Sequence, residues 1–120
     1  MPRYVDGFLL PVPKKNLPAY RRMSVAAGKI WKKHGALEYC ECVGDDLQLK
    51  CGVPFERRAK PRRGEAILFS FIVYRSRKDR DRINAKVMQD PAMGKMMMGK
   101  AMPFDVARMS MAGFRVLVDL

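Results

Sequence analysis

The sequence of 120 residues is poor in side chains that commonly bind metals. It contains a single histidine, His34, and three cysteines, Cys40, Cys42 and Cys51. A tetrahedral zinc site needs about four ligands, and an odd number of cysteines cannot form a closed set of disulfides. We therefore expect no metal, no cofactor and no disulfide, with the cysteines as free thiols in a reducing cytoplasm.

Long apolar runs and a secretory leader are also missing. No apolar stretch reaches the roughly 18 residues that a membrane-spanning helix needs. The first residues do not combine a charged region, an apolar region and a small-residue cleavage site. The expectation is a cytoplasmic protein without a membrane partner.

The charge is strongly unbalanced, with 24 basic and 12 acidic residues and a formal net charge of +12. Such a charge suggests nucleic acid or another anionic partner. The basic segment 57–63 contains proline but no aromatic residue, whereas nucleic-acid-binding surfaces usually combine basic and stacking side chains. We interpret the charge as a solvated surface and expect only nonspecific, salt-sensitive binding of nucleic acid. A basic nucleic-acid-binding protein is kept as an alternative.

The hydropathy pattern predicts one α+β domain that covers residues 1–120. Strands are predicted over four segments, residues 3–12, 36–43, 66–74 and 109–118. Helices are predicted over residues 16–34 and 77–89, the second of them preceded by a capping box of Ser76 and Asp79. Residues 47–65 are interpreted as an excursion between the second and third strands.

The order of these elements is the ferredoxin-like βαββαβ pattern, a four-stranded antiparallel sheet with two helices on one face. Segments 66–74 and 109–118 are apolar on both faces, so the face without helices must also be covered. A second copy of the same sheet is the simplest cover. We therefore expect a homodimer.

Short segments along nearly the whole chain resemble the bacterial YbaA-like family of unknown function. They are Tyr4–Phe8, Gly35–Leu37, Glu41–Cys42, Phe69–Ile72, Tyr74, Ser76, Arg80–Asp81, Asn84, Lys86, Met88, Asp90–Pro91, Met102–Asp105, Arg108–Met109 and Gly113–Phe114. Arg75 and Ala92 stand where the family pattern has proline and arginine. The resemblance implies a dimeric α+β-barrel fold and a homodimer, and it implies no settled activity.

Five polar residues are the candidate ligand-binding site: Asp6, Arg80, Asn84, Asp105 and Arg108. Arg80 and Asn84 lie four residues apart on the inward face of the second predicted helix. Asp6 interrupts a strand, where a buried, unpaired charge would cost several kcal/mol. We expect at least three of the five to gather at the edge of the sheet. They form either a buried network that ties segment 102–105 to the second helix, or a site for a small polar or anionic molecule.

Two further features have a chemical and a structural interpretation. His34 could act as a base or a haem ligand, but a histidine packed at the end of a helix is favoured. The Met-rich segment 93–102 could bind Cu(I), but a flexible apolar lid or a dimer seam is favoured.

The sequence identifies no catalytic residue, because one carboxylate and one arginine define no class of reaction. Our leading hypothesis is a homodimeric protein that binds a small molecule. The alternative is a cofactor-free enzyme of the monooxygenase or isomerase type found on this fold.

Overall fold

The computed structural model describes residues 1–98 and 101–120. Its strands are β1 (Tyr4–Pro13), β2 (Glu38–Val43), β3 (Glu65–Tyr74) and β4 (Ser110–Arg115). Its helices are α1 (Leu17–Lys33), α2 (Phe55–Ala59), α3 (Arg77–Gln89) and α4 (Pro91–Met97), with 3-10 turns at Lys14–Asn16 and Val106–Arg108. In the described part of the chain, no helix is both long and apolar enough to cross a membrane.

The four strands form one antiparallel sheet in the order β2-β3-β1-β4. This is the ferredoxin-like α+β topology, so the predicted fold class is confirmed. β4 ends at Arg115 rather than at residue 118.

The Met-rich segment begins as a helix, which the sequence pattern did not predict. The carboxylate of Asp90 accepts a hydrogen bond from the Ala92 amide, and Pro91 occupies the first turn of α4. An aspartate cap followed by proline favours a helix start, although Asp90 and Pro91 also end α3. Residues 99 and 100 of the predicted lid lie outside the described residues.

The helices α1, α3 and α4 cover one face of the sheet. Tyr74 of β3 and Ile83 and Val87 of α3 are completely buried there. A second cluster packs Leu10 of β1 and Tyr20 of α1 together. The apolar residues that recur along one side of α1 and α3 therefore pack against the sheet and form a core, as the sequence predicts.

The opposite face of the sheet is only partly covered. The excursion between β2 and β3 folds over one end, where the rings of Phe55 and Phe69 are 6.0 Å apart and Ile67 is buried. Farther along this face Phe71 is half-buried, and Phe114 of β4 is 59% exposed. A large apolar area on this face therefore lacks a cover from the described residues.

Candidate functional site

A carboxylate surrounded by hydroxyl groups lies in the middle of β2. Tyr20 donates a hydrogen bond of 2.9 Å to Oε1 of Glu41, and Tyr39 donates one of 3.3 Å to Oε2. The hydroxyls of Ser24 and Ser70 also donate to Glu41. A carboxylate has about four lone-pair positions, so these donors saturate it. Glu41 and these four donors form the hydroxyl cluster.

Three neighbouring elements place these side chains. Tyr20 and Ser24 lie four residues apart on α1, so they face the sheet together. Glu41 on β2 pairs directly with Ser70 on β3. Because side chains of directly paired residues lie on the same face, both point toward α1.

A glycine in α1 allows the strand to approach the helix. A Cβ atom at Gly28 would lie only 2.7 Å from Cδ1 of Tyr39. The Tyr39 ring therefore occupies the space that a side chain at position 28 would need, and this position brings its hydroxyl to Ser24 and Glu41.

The two phenols of this hydroxyl cluster stay protonated at neutral pH. Burial raises the pKa of Tyr39 to about 12, although the hydrogen bond with Ser24 opposes that change. Burial and the negative charge of Glu41 raise the pKa of Tyr20 even further. Both tyrosines therefore remain hydrogen-bond donors.

The hydroxyl cluster forms part of the wall of an inner cavity of about 290 Å³ between α1, α4 and the sheet. The single tryptophan, Trp31, and Phe8 line the same cavity. Seven methionines complete much of the wall, namely Met23, Met88, Met93, Met96, Met97, Met102 and Met109. The cavity thus combines a mainly apolar lining with one group of fixed polar atoms, as small-molecule sites do.

A second concavity, the outer groove, lies between α1 and β2 on the other side of the hydroxyl cluster. Its volume is about 870 Å³, and it also contacts Tyr20, Tyr39 and Glu41. The hydroxyl cluster therefore separates the inner cavity from the outer groove.

Two of the candidate residues predicted from the sequence, Asp6 and Arg80, form a largely buried ion pair. Nε of Arg80 lies 3.5 Å from Oδ1 of Asp6, and Nη1 lies 3.1 Å from Oδ1 of Asp81. The guanidinium group also stacks over Tyr4, with its central carbon 4.9 Å from the ring centre. Both carboxylates thus already balance the charge of Arg80.

Asn84 joins this network through aromatic side chains. Its Oδ1 accepts hydrogen bonds from Trp31 (3.0 Å) and from Tyr74 (3.1 Å). Burial and the negative charge of Asp6 raise the pKa of Tyr74, which keeps its hydroxyl protonated. Asp6, Arg80 and Asn84 therefore belong to one connected group, but it lies between α3 and the two central strands, β1 and β3, rather than at the sheet edge.

The other two candidates, Asp105 and Arg108, lie elsewhere. Asp105 accepts a hydrogen bond of 3.0 Å from the Ala107 amide and caps the short turn there. Arg108 forms a two-pronged ion pair with Glu65, at 2.7 and 2.9 Å. The interpretation that these residues tie segment 102–105 to α3 is therefore wrong. A ligand role for the five residues stays a prediction.

Sequence reasoning missed the hydroxyl cluster as a site. The four-residue spacing of Tyr20 and Ser24 on the sheet-facing side of α1 was a usable signal. No signal in the sequence connects these residues with Glu41, because the pairing depends on how the strands align.

His34 pairs with a carboxylate at the junction of α3 and α4. Its Nε2 lies 2.7 Å from Oδ2 of Asp90, and Nζ of Lys33 lies 3.1 Å from the same oxygen. His34 is thus at the end of α1, as the favoured interpretation expected, but its ring contacts a side chain rather than helix carbonyls.

The contacts of Asp90 at this junction predict that the stability of the fold depends on pH. Hydrogen bonds from Ala92, His34 and Lys33 lower the pKa of Asp90 to about 2. Because folding lowers this pKa, the carboxylate stabilises the fold above about pH 4, and the contribution is lost as the pH falls toward 2. Calorimetry should show a smaller fall in melting temperature over this interval for Asp90→Asn than for the wild type. An equal fall in the melting temperature of Asp90→Asn and of the wild type would contradict the prediction. Asp45→Asn, which changes a residue in an exposed loop, is the control.

The chain resembles other proteins over almost its whole length. The model of a family described as "Protein of unknown function (DUF1428)" matches residues 3–106. The uncharacterized protein YbaA of Escherichia coli strain K12 is 38% identical over 117 residues, which cover 98% of each chain. YbaA of Shigella flexneri gives the same values.

Two solved structures share the fold at low sequence identity. A dimeric ferredoxin-like protein from an uncultured marine organism is 8% identical, with a TM-score of 0.61 over 100% of both chains. A nipsnap family protein of unknown function from Agrobacterium tumefaciens is 15% identical, with a TM-score of 0.56 over 95% of this chain and 87% of that one. These likenesses support the ferredoxin-like fold alone.

Proposed function

Since this chain belongs to the YbaA-like family of proteins of unknown function, DUF1428, we propose that it is a homodimeric protein that binds a small molecule in the inner cavity. The observation that carries the proposal is the saturated carboxylate of Glu41 in the wall of a cavity lined by methionine and aromatic side chains. The proposal includes a reducing, cytoplasmic location, because three cysteines cannot form a closed set of disulfides.

The lining indicates the class of ligand. Flexible thioether side chains adapt to irregular apolar shapes, and the hydroxyls of Tyr20 and Tyr39 offer fixed polar contacts. The sequence alone suggested a polar or anionic ligand at Arg80, whose charge is already balanced by Asp6 and Asp81. The cavity supports a small molecule with an apolar body and one hydrogen-bonding group.

Binding in the inner cavity can be tested with Trp31 as the reporter. We expect N-phenyl-1-naphthylamine, which has an uncharged apolar ring system and one N–H donor for the hydroxyl oxygens in the wall, to bind at about one molecule per chain and to quench Trp31 fluorescence. Ala27→Leu adds side-chain volume inside the cavity and should weaken binding about tenfold, a loss of about 1.4 kcal/mol.

The matched control is Ala26→Leu, the same change at the exposed neighbouring position of α1. It should leave the affinity for the probe unchanged. Equal affinity of both variants and the wild type would place the probe outside the cavity and contradict the proposal. Native mass spectrometry of protein purified without denaturation then gives the mass of any molecule that the cavity retains.

The partly uncovered sheet face supports the homodimer. Its exposed aromatic side chains include Phe69 (43%) and Phe114 (59%), and Phe69 also contacts the half-buried Phe71. Burial of such area contributes about 25 cal/mol per Å². The same face of a second copy would cover these side chains symmetrically.

A charge on this face should separate the two copies. Size exclusion with light scattering is expected to give twice the chain mass for the wild type at micromolar concentration, and one chain mass for Phe114→Asp. Because Phe114 is largely exposed within one chain, the substitution should leave the fold intact. Val25→Asp makes a similar change at a half-exposed position on α1 and should remain dimeric. A monomeric wild-type protein would contradict the prediction.

A further inference from the structure

We propose that the outer groove between α1 and β2 binds a short acidic segment of another protein, which adds to the sheet as an extended strand alongside β2. The groove lies beside the inner cavity, but basic side chains of α1 and the backbone of β2, at the end of the sheet, form its walls. The site therefore differs in ligand class from the proposed small-molecule cavity.

The backbone of β2 provides the first part of the argument. Within the described residues, β2 pairs with β3 only and forms one end of the sheet. The Gly44 amide donates to the Ile67 carbonyl at 2.8 Å. Since hydrogen-bonded positions alternate along an antiparallel pair, the amides and carbonyls of Tyr39, Glu41 and Val43 point away from β3. Such an edge can accept another extended chain.

The dimensions of the groove fit an extended peptide. Its α1 wall runs from Leu17 to Lys32, which is about 22 Å at 1.5 Å per residue. The six residues of β2 span about 20 Å at 3.3 Å per residue. A strand of about six residues would therefore fill the length of the groove, with Val25 and Leu68 beside its side chains.

The charges on the rim favour an acidic occupant. The exposed basic side chains of Arg21, Lys29 and Lys32 on α1 line the groove and outnumber the exposed acidic side chain of Glu38 on β2. Nζ of Lys32 is held by the Leu37 carbonyl at 2.6 Å, while Arg21 and Lys29 form no salt bridge with any other described residue. A second copy of a chain with a net charge of +12 would add like charge, whereas an acidic segment is attracted.

The probe is a fluorescein-labelled peptide of four Val-Asp repeats, and its binding is measured by fluorescence anisotropy at low salt. We expect saturable binding by the full chain. The same peptide with an N-methyl group on every backbone amide has no amide hydrogen on either edge, so its affinity should fall about tenfold. A peptide of Val-Lys repeats should not bind.

Two kinds of variant test the groove itself. Val43→Pro removes one outward amide at an exposed edge position and should weaken the Val-Asp peptide about tenfold, whereas Val43→Thr keeps the amide and the affinity. The double variant Arg21→Glu/Lys29→Glu changes only exposed side chains and should abolish binding of the Val-Asp peptide. Ala27→Leu, which fills the inner cavity, should leave peptide binding unchanged, so the two sites are tested separately.

Two outcomes would overturn the proposal. Equal binding of the methylated and unmethylated peptides would mean that only charge attracts them. Conversion of a homodimer to a monomer by Val43→Pro, with an unchanged circular dichroism spectrum, would mean that a second copy covers the edge of β2.

Discussion

Replacement of Asp6 by alanine should lower the free energy of unfolding by about 3 kcal/mol. Asp6 is buried, and Arg80 is largely enclosed beside it. Removing one partner of a buried ion pair costs about 3–5 kcal/mol, and the remaining contact of Arg80 with Asp81 and its partial exposure favour the lower end. In the described residues, Nε of Arg80 already lacks a hydrogen-bond partner, so the loss of Asp6 would isolate it further.

Urea unfolding measures this loss, and Asp81→Ala is the matched control. Asp81 contacts the same guanidinium group, but its carboxylate is 57% exposed. An exposed ion pair contributes about 0–1 kcal/mol, so this variant should be nearly as stable as the wild type. Equal effects of the two substitutions would contradict the assignment of Asp6 as the buried partner.

A conservative substitution of Asp6 distinguishes a structural network from a ligand-binding site. If the group of Asp6, Arg80 and Asn84 is structural, Asp6→Asn should lower the melting temperature and leave the affinity for N-phenyl-1-naphthylamine intact. If it binds the ligand, the affinity should fall while the melting temperature holds. Calorimetry and Trp31 fluorescence on the same samples separate these results.

Replacement of Glu41 by alanine should cost a similar amount, about 3–5 kcal/mol. The change removes the acceptor of the buried hydroxyls of Tyr20, Ser24 and Ser70. Each buried donor left without a partner costs about 1–3 kcal/mol, and some of the hydroxyls can turn toward one another. Glu41→Gln should fall between alanine and the wild type, because its amide has only one acceptor oxygen.

The control for Glu41 is Glu38→Ala on the same strand. Glu38 is exposed, and its alanine variant should stay within about 0.5 kcal/mol of the wild type. Chemical unfolding of the three variants, monitored by Trp31 fluorescence, measures the series. A Glu41→Ala protein as stable as Glu38→Ala would refute the role of the carboxylate as the shared acceptor.

The sequence by itself determined the secondary structure that builds the fold. The period of α1, the cap at Ser76 and the continuous apolar run of β3 depend on neighbours a few residues away, and each was predicted close to its observed place. The inward arc of α3 also placed Arg80 and Asn84 on the side where they meet the core. Local periodicity and capping contain this information because a helix or strand repeats every few residues.

Only the tertiary structure decided which side chains meet. Three of the four donors to Glu41 lie 21, 17 and 29 residues away, and Arg108 binds Glu65 at a separation of 43. Such contacts depend on strand register and on the angle at which α1 crosses the sheet, and a shift of one residue would turn Glu41 to the opposite face. Asp105 and Arg108 lie apart from Asp6 for the same reason, because closeness to β4 in the sequence does not determine closeness to Asp6 in space.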